Sequence, residues 1–480
     1  MEQREQLEKC LKPHWVWAIA FGSAIGWGSF VLPADWIAMA GPLGVMLGLS
    51  IGAVLMIIIG VSYGFLIKIY PVTGGGFSYA YLGFGRNHAF FCGWFLTLGY
   101  MSIVALNASA LALLGKFLIP EIVDVGRLYS VAGWDVYLGE IVVASVALIL
   151  FALINIRGGS FSGKSQFVFC MLLIIGAVAV VVGMILAPST SFSNLEPLFK
   201  PGVSSWAAVL SIVAIAPWAY VGFDSVPQAA EEFDFSPAKA FTLIVLALAM
   251  AAVHYSALVM ATALAMPWME LVDQSPVWGT GEMVQATLGN LGLAALALAL
   301  LMGIATGLNG FYIATSRLMF ALGRAGVLPS VFGQLHSKYR TPTAGILFTC
   351  GLCLVAPWLG REALLWVVDM AATGVAIAYF YCCAVAYKCF KWSEQGIGKH
   401  YEGCVSPFKK LLSLLGAISS LSFLGLLLIP GSPGFLSAPS WIALIIWSAL
   451  GLALYIYRRK IVRHKSKEEL DHLILASSDV

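Results

Sequence analysis

Long apolar runs separated by short polar stretches set the pattern of this chain. Runs near the 20 residues a helix needs to cross a bilayer fall at roughly 15–40, 44–68, 88–115, 137–156, 165–187, 206–229, 240–266, 287–316, 343–360, 363–387, 410–430 and 440–457. The pattern predicts an all-α polytopic membrane protein with twelve transmembrane helices. The first run is not a secretory leader: it is long, lacks a small-residue cleavage site, and is followed by many others.

Two of these spans carry helix breakers midway. The first contains GSAIGWGSFVLP, with Gly22, Gly26, Gly28 and Pro33; the sixth contains AIAPWAYVGFDSVPQAAEE, with Pro217, Gly222 and Pro227. Proline removes an N–H and clashes with the preceding turn. Unpaired backbone at membrane depth is tolerated only against protein or a cavity. Interruptions at corresponding positions of two halves point to a transporter built from inverted repeats. Spans one and six lie five apart, so the second copy enters from the opposite side. The expected layout is a 5+5 inverted repeat plus two C-terminal helices. It divides into a tail (1–12), repeats at 13–187 and 188–390, a loop with helices 11 and 12 (391–457), and a basic tail (458–480).

Composition sharpens the membrane reading. Of 480 residues, 60% are hydrophobic and 11% charged, against about 25% charged in soluble domains. With the N-terminus cytoplasmic and each span switching sides, the outer side keeps only Lys116, Arg127, Lys200 and Arg361 of the 27 Lys and Arg. That asymmetry follows the positive-inside rule and predicts a multi-pass cell-membrane protein with both termini cytoplasmic. The net charge of +3 then reflects topology, and no compact basic domain exists to bind nucleic acid. The segment RRKIVRHKSKEELDH reads as a solvated tail whose basic half touches anionic lipid.

Several patterns carry little. The nine cysteines form no disulfide framework, and Cys350 and Cys353 lie inside a span, so they read as buried thiols. GGSFSGKS (158–165) matches a phosphate loop, but that motif needs a strand before it and an α/β domain around it. Gly44, Gly48 and Gly52 repeat every four residues, a stripe for close helix packing. No nucleophile elbow, kinase signature, metal set or cofactor motif appears, so an enzyme is not expected.

Asp224 is a lone acid inside a span, which makes it a functional candidate by default; it either caps freed backbone N–H groups or carries a proton. Glu231 and Glu232 end the same span, as inner-gate contacts to Arg or Lys or as a solvated helix end. His254 reads as a packed neutral group. Trp27, Trp218, Tyr220 and Phe223 gather at the breaks, whereas Trp15, Trp17 and Trp441 look like interface anchors.

At these residues the chain resembles the amino acid–polyamine–organocation superfamily of secondary transporters. The likeness covers GSAIGWGSF, YPVTGGGFSYAYLGFG (70–85), YVGFDSVPQAAEE and SRLMFALGRAGVLPSVF (316–332). It implies the inverted-repeat fold first known from bacterial leucine transporters, with a substrate site at mid-membrane between the breaks. The N–H groups of Ser23, Ala24, Ile25 and Gly26 are expected at a half-helix N-terminus, whose partial positive charge suits a carboxylate. Trp27 and Gly28 complete that break. By the motif match Trp218, Val221 and Gly222 contact substrate, and Asn107 and Phe311 complete the walls. Trp27 stands where the resemblance implies a small residue, which narrows the pocket. Span five lacks the lysine that some similar transporters place at a sodium position. The expected function is alternating-access transport of an amino acid or related amine, proton-coupled or by exchange. A nutrient sensor without turnover and an ion channel stay open on the sequence, and no oligomeric state is indicated.

Overall fold

A computed structural model describes residues 4–131, 134–273, 278–360, 362–395, 406–432 and 434–476. Among them, ten helices are long and apolar enough to cross a membrane. The first predicted span is the broken series α1 (Pro13–Ile25), α2 (Gly28–Val31) and α3 (Pro33–Ala40). It is followed by α4 (Pro42–Ile69), a short α5 (Gly76–Phe84), α6 (Arg86–Leu118) and a one-turn α7 (Pro120–Val123). A hairpin of β1 (Arg127–Val131) and β2 (Trp134–Tyr137) leads into α8 (Leu138–Ile156) and α9 (Gly159–Leu186).

The sixth predicted span is α10 (Ser205–Ala219) plus a 3-10 segment, Phe223–Glu232. Next come α11 (Ala240–Ala265), a short α12 (Trp268–Asp273), α13 (Gly279–Arg324), α14 (Thr343–Cys353) and α15 (Glu362–Glu394). The chain closes with α16 (Pro407–Leu428), α17 (Ala438–His464) and α18 (Lys467–Leu475). The ninth predicted span is a shorter apolar helix, Thr343–Leu359. Residues 396–405 of the predicted polar loop, and Arg361, lie outside the described residues.

The apolar pattern also fixes the packing. α1 is apolar on every side and packs against α9, α11, α13 and the 3-10 segment, so ten of its residues are buried. A helix apolar all round belongs in a core. The outer faces of α9 and α17 instead leave Ile175, Leu186, Ile445 and Ile456 exposed, as lipid contact requires. The glycine stripe of α4 packs on α10: a Cβ at Gly48 would lie 2.5 Å from Ile212, and one at Gly52 2.5 Å from Ala216.

Three parts depart from expectation. The hairpin β1–β2 is antiparallel, with Ser130 opposite Asp135; Asp135 pairs with Arg127 at 2.9 Å, and that guanidinium together with Ser130 pulls the Asp135 carboxyl down to about 2. The C-terminal tail is docked rather than solvated. In α18, Leu470, Leu473 and Ile474 recur at helical spacing and are buried, and the Tyr81 hydroxyl on α5 donates to Asp471 at 2.7 Å. Trp15 is likewise buried, against Gly163, rather than an interface anchor.

Candidate functional site

The two interrupted spans meet at their breaks. α1 stops at Ile25 because Gly26 takes φ +45 and ψ −174, a conformation L side chains avoid. α10 carries Pro217, stops at Ala219, and turns through Gly222 at φ +135. A Cβ at Gly222 would lie 2.6 Å from the Ala24 amide nitrogen and 2.7 Å from the Ser23 Cβ. Only glycine allows this approach. The Tyr255 hydroxyl of α11 sits 2.8 Å from the Ala219 carbonyl and 3.0 Å from that of Ala24, so it ties the C-terminal ends of α1 and α10 together. No motif marked Tyr255 in the sequence.

This geometry corrects one expectation. Ser23, Ala24 and Ile25 do not begin a half-helix; they form the last turn of α1, and their amides lie inside it. What they present at the break is carbonyl groups. The helix restarts at Gly28 after Trp27, and first-turn amides have no intrahelical acceptor. The amides at this break with no backbone acceptor among the described residues belong to Gly26, Trp27, Gly28 and Ser29.

The remaining expected residues surround the breaks. The Trp27 and Trp218 rings meet edge to face at 6.0 Å, and Trp218 also packs on Gly28. Val221 is buried beside Gly222. Asn107 of α6 faces Gly307 on α13, and Phe311, one turn further, packs on Tyr100 at 5.6 Å. Ser23 Oγ, Trp27 Nε1 and Asn107 Oδ1 are buried with no hydrogen-bond partner among the described residues. An unpaired buried polar group costs about 1–3 kcal/mol, and three such groups lie around this break.

Asp224 is fully buried and acts as a cap. Its Oδ1 accepts the Gly222 N–H at 2.9 Å and its Oδ2 accepts the Tyr100 hydroxyl at 2.8 Å. Gln228 donates to the same hydroxyl at 3.2 Å. The carboxylate thus holds the second break in shape and points into protein. His254 packs on Phe30 at 5.2 Å, with Nε2 buried and unpaired among the described residues.

A neutral amide holds the crossing of α1 and α13. Gln166 of α9 donates to the Ala18 and Thr306 carbonyls at 3.2 and 3.1 Å and accepts from Asn309 at 2.8 Å. Thr306 donates to Gly22 at 2.9 Å. Gln166 lies near the start of α9, and no motif marked it in the sequence. The phosphate-loop match at 158–165 is the uncapped start of α9, with no strand before it.

The two ends of the molecule differ. Toward the hairpin, a cavity of about 390 Å³ reaches down to Trp27, bordered by Lys116, Trp134, Glu140, Trp278 and Glu282. At the opposite, basic end, the chain is sealed. Arg317 grips Glu232 through Nε and Nη2 at 2.7 and 3.1 Å, with both side chains buried. Arg324 reaches Glu231 at 2.7 Å, and Arg4 reaches it at 2.5 Å. Arg4 also donates to the Leu473 carbonyl, joining both termini to the seal. The two carboxylates are therefore buried in ion pairs with arginines, not a solvated end.

Cys10 reports on this seal. Burial and then the Glu232 charge push its thiol up to about 12. The raised value leaves a thiolate fraction about a thousandfold below that of an ordinary cysteine near neutral pH. Maleimide labelling of Cys10 in a Cys404→Ser background is expected to be slow while the seal is closed and to quicken under conditions that open it. Fast labelling of the closed protein would contradict this packing.

A family model described as amino acid permease matches residues 15–450. The methylthioribose transporter of Bacillus subtilis is 26% identical over 457 residues, covering 92% of each chain. The branched-chain amino acid permease BcaP of Lactococcus lactis is 26% identical over 455 residues, covering 91% of this chain and 92% of its own. The aromatic amino acid transport protein AroP of Escherichia coli K12 is 25% identical over 442 residues, covering 88% and 90%.

Proposed function

The chain belongs to the amino acid permease family, and from that premise we propose that it is a secondary active carrier that holds a small zwitterion between its two helix breaks. The observation that carries this is the contact of the breaks at Gly222 and Ala24, ringed by the unpaired polar atoms of Ser23, Trp27 and Asn107. The amides of Gly26, Trp27 and Gly28 suit a carboxylate. The Ala24 and Ile25 carbonyls each keep a lone pair beyond their bond to the Tyr255 hydroxyl and, with that of Val221, suit an ammonium. Trp27, Trp218 and Phe311 give the substrate side chain an apolar, aromatic surround. Asp224 is already occupied by Gly222 and Tyr100, which favours a neutral amino acid over a cationic amine.

The carrier works by alternating access. Its layout is twelve spans, a 5+5 inverted repeat at 13–187 and 188–390 with two added helices, and both termini in the cytoplasm of a cell-membrane protein. The sealed basic end is then the cytoplasmic gate, and the cavity ending at Trp27 is the external entry. Gln166 is a neutral amide and cannot carry a proton in the pH range of life, so coupling does not run through that position.

Reconstitution in liposomes tests the proposal. Saturable uptake is expected for at least one member of a panel of radiolabelled amino acids and methylthioribose. Uptake that needs an inward pH gradient assigns a proton; uptake only into vesicles preloaded with substrate assigns exchange. No uptake and no exchange across the panel would refute the carrier, and single-channel currents would replace it with a channel.

A further inference from the structure

At the basic end a second, smaller cavity of about 80 Å³ lies between the start of α6 and the end of α17. Arg86, Arg458 and Arg459 line it, and no carboxylate does. Arg458 donates through Nε and Nη2 to the Gly326 and Leu328 carbonyls at 2.9–3.1 Å. Those carbonyls satisfy its N–H groups but leave its positive charge in place. The cavity also opens on the first turn of α6, whose N-cap Gly85 offers no side-chain acceptor. Its first amides lack intrahelical partners and carry the positive end of the helix dipole. Tyr455 donates to Asn87 at 2.8 Å and fixes that side of the opening.

The surroundings say what kind of anion fits. α17 leaves Ile445, Leu452 and Ile456 exposed; at spacings of seven and four they share one face of the helix, and Arg459, seven residues after Leu452 and also exposed, continues it. An apolar stripe on that face therefore ends at an arginine that lines the cavity. We propose that this cavity binds the phosphate headgroup of an anionic phospholipid, with its acyl chains lying along the exposed face of α17. The charges at a membrane surface favour such a lipid over a neutral one. The proposal does not depend on the transport reading.

Thermal unfolding of the detergent-purified full chain tests it, titrated with phosphatidylglycerol, with phosphatidylcholine of the same chains, and with inorganic phosphate. Phosphatidylglycerol alone is expected to raise the melting temperature saturably. Arg459→Gln, at an exposed position, is expected to weaken that response about fivefold, and the Arg458→Gln/Arg459→Gln pair further. Lys68→Gln, exposed at the end of α4, should leave it unchanged. An equal shift with inorganic phosphate would mean a simple ion site, and an equal loss in Lys68→Gln would mean diffuse attraction. Either outcome, or no shift with phosphatidylglycerol, overturns the proposal.

Discussion

Gly222→Ala is expected to abolish transport while the protein still inserts in the membrane. The added methyl would sit 2.6 Å from the Ala24 nitrogen and the Ser23 carbonyl carbon, both backbone atoms. Neither can rotate away, so the two breaks must move apart. At φ +135 an L residue also adds strain of about 1–3 kcal/mol. A displacement near 1 Å at a binding site costs on the order of a hundredfold in rate. Gly26→Ala is the informative companion. Gly26 also has a positive φ, but a Cβ there meets nothing within 4 Å. It carries the strain without the collision and is expected to retain measurable uptake. Equal activity in the two variants would show that the contact between breaks is not what matters.

Arg317→Ala is expected to lose uptake by more than a hundredfold and to speed Cys10 labelling. Arg317 and Glu232 are 1% and 4% exposed. Removing one partner of a buried pair leaves an uncompensated charge, at a cost of about 3–5 kcal/mol. At about 1.4 kcal/mol per tenfold, that shifts the population away from the sealed state by about two to three and a half orders of magnitude. Replacing both partners with neutral groups of similar shape costs far less. The Glu232→Gln/Arg317→Gln double variant should therefore restore slow labelling and part of the uptake. A single variant that keeps more than half of wild-type uptake would show that the pair is not a gate.

Much of this architecture was legible before any coordinates. The apolar runs placed the long helices, with ends off by up to eight residues as at α13, because a bilayer demands length and apolarity from each span. The Gly/Pro clusters marked both breaks. They did not mark where α1 ends: Ala24 and Ile25 extend a helix readily, so the stop falls at Gly26, and the free amides shift toward Ser29. Pairs distant in sequence were also hidden. Glu231 and Glu232 were visible as acids, but Arg317 and Arg324 lie some 85–93 residues away, and only their seven-residue spacing on one face of α13 hinted at a shared role. Tyr255 and Gln166 act on backbone carbonyls of other helices, a role that leaves no local pattern. The tail misled through its charge; the buried face of α18 is only a few apolar residues beside a lysine, two glutamates, an aspartate and a histidine.

A density map of the protein with a substrate identified by the uptake panel tests the central claim most directly. The account predicts a small ligand between the two breaks, its carboxylate on the amides of Gly26, Trp27 and Gly28 and its ammonium on carbonyls near Ala24 and Val221. Ligand density confined to the outer cavity beside Lys116 and Glu282, with the breaks packed as before, would contradict it.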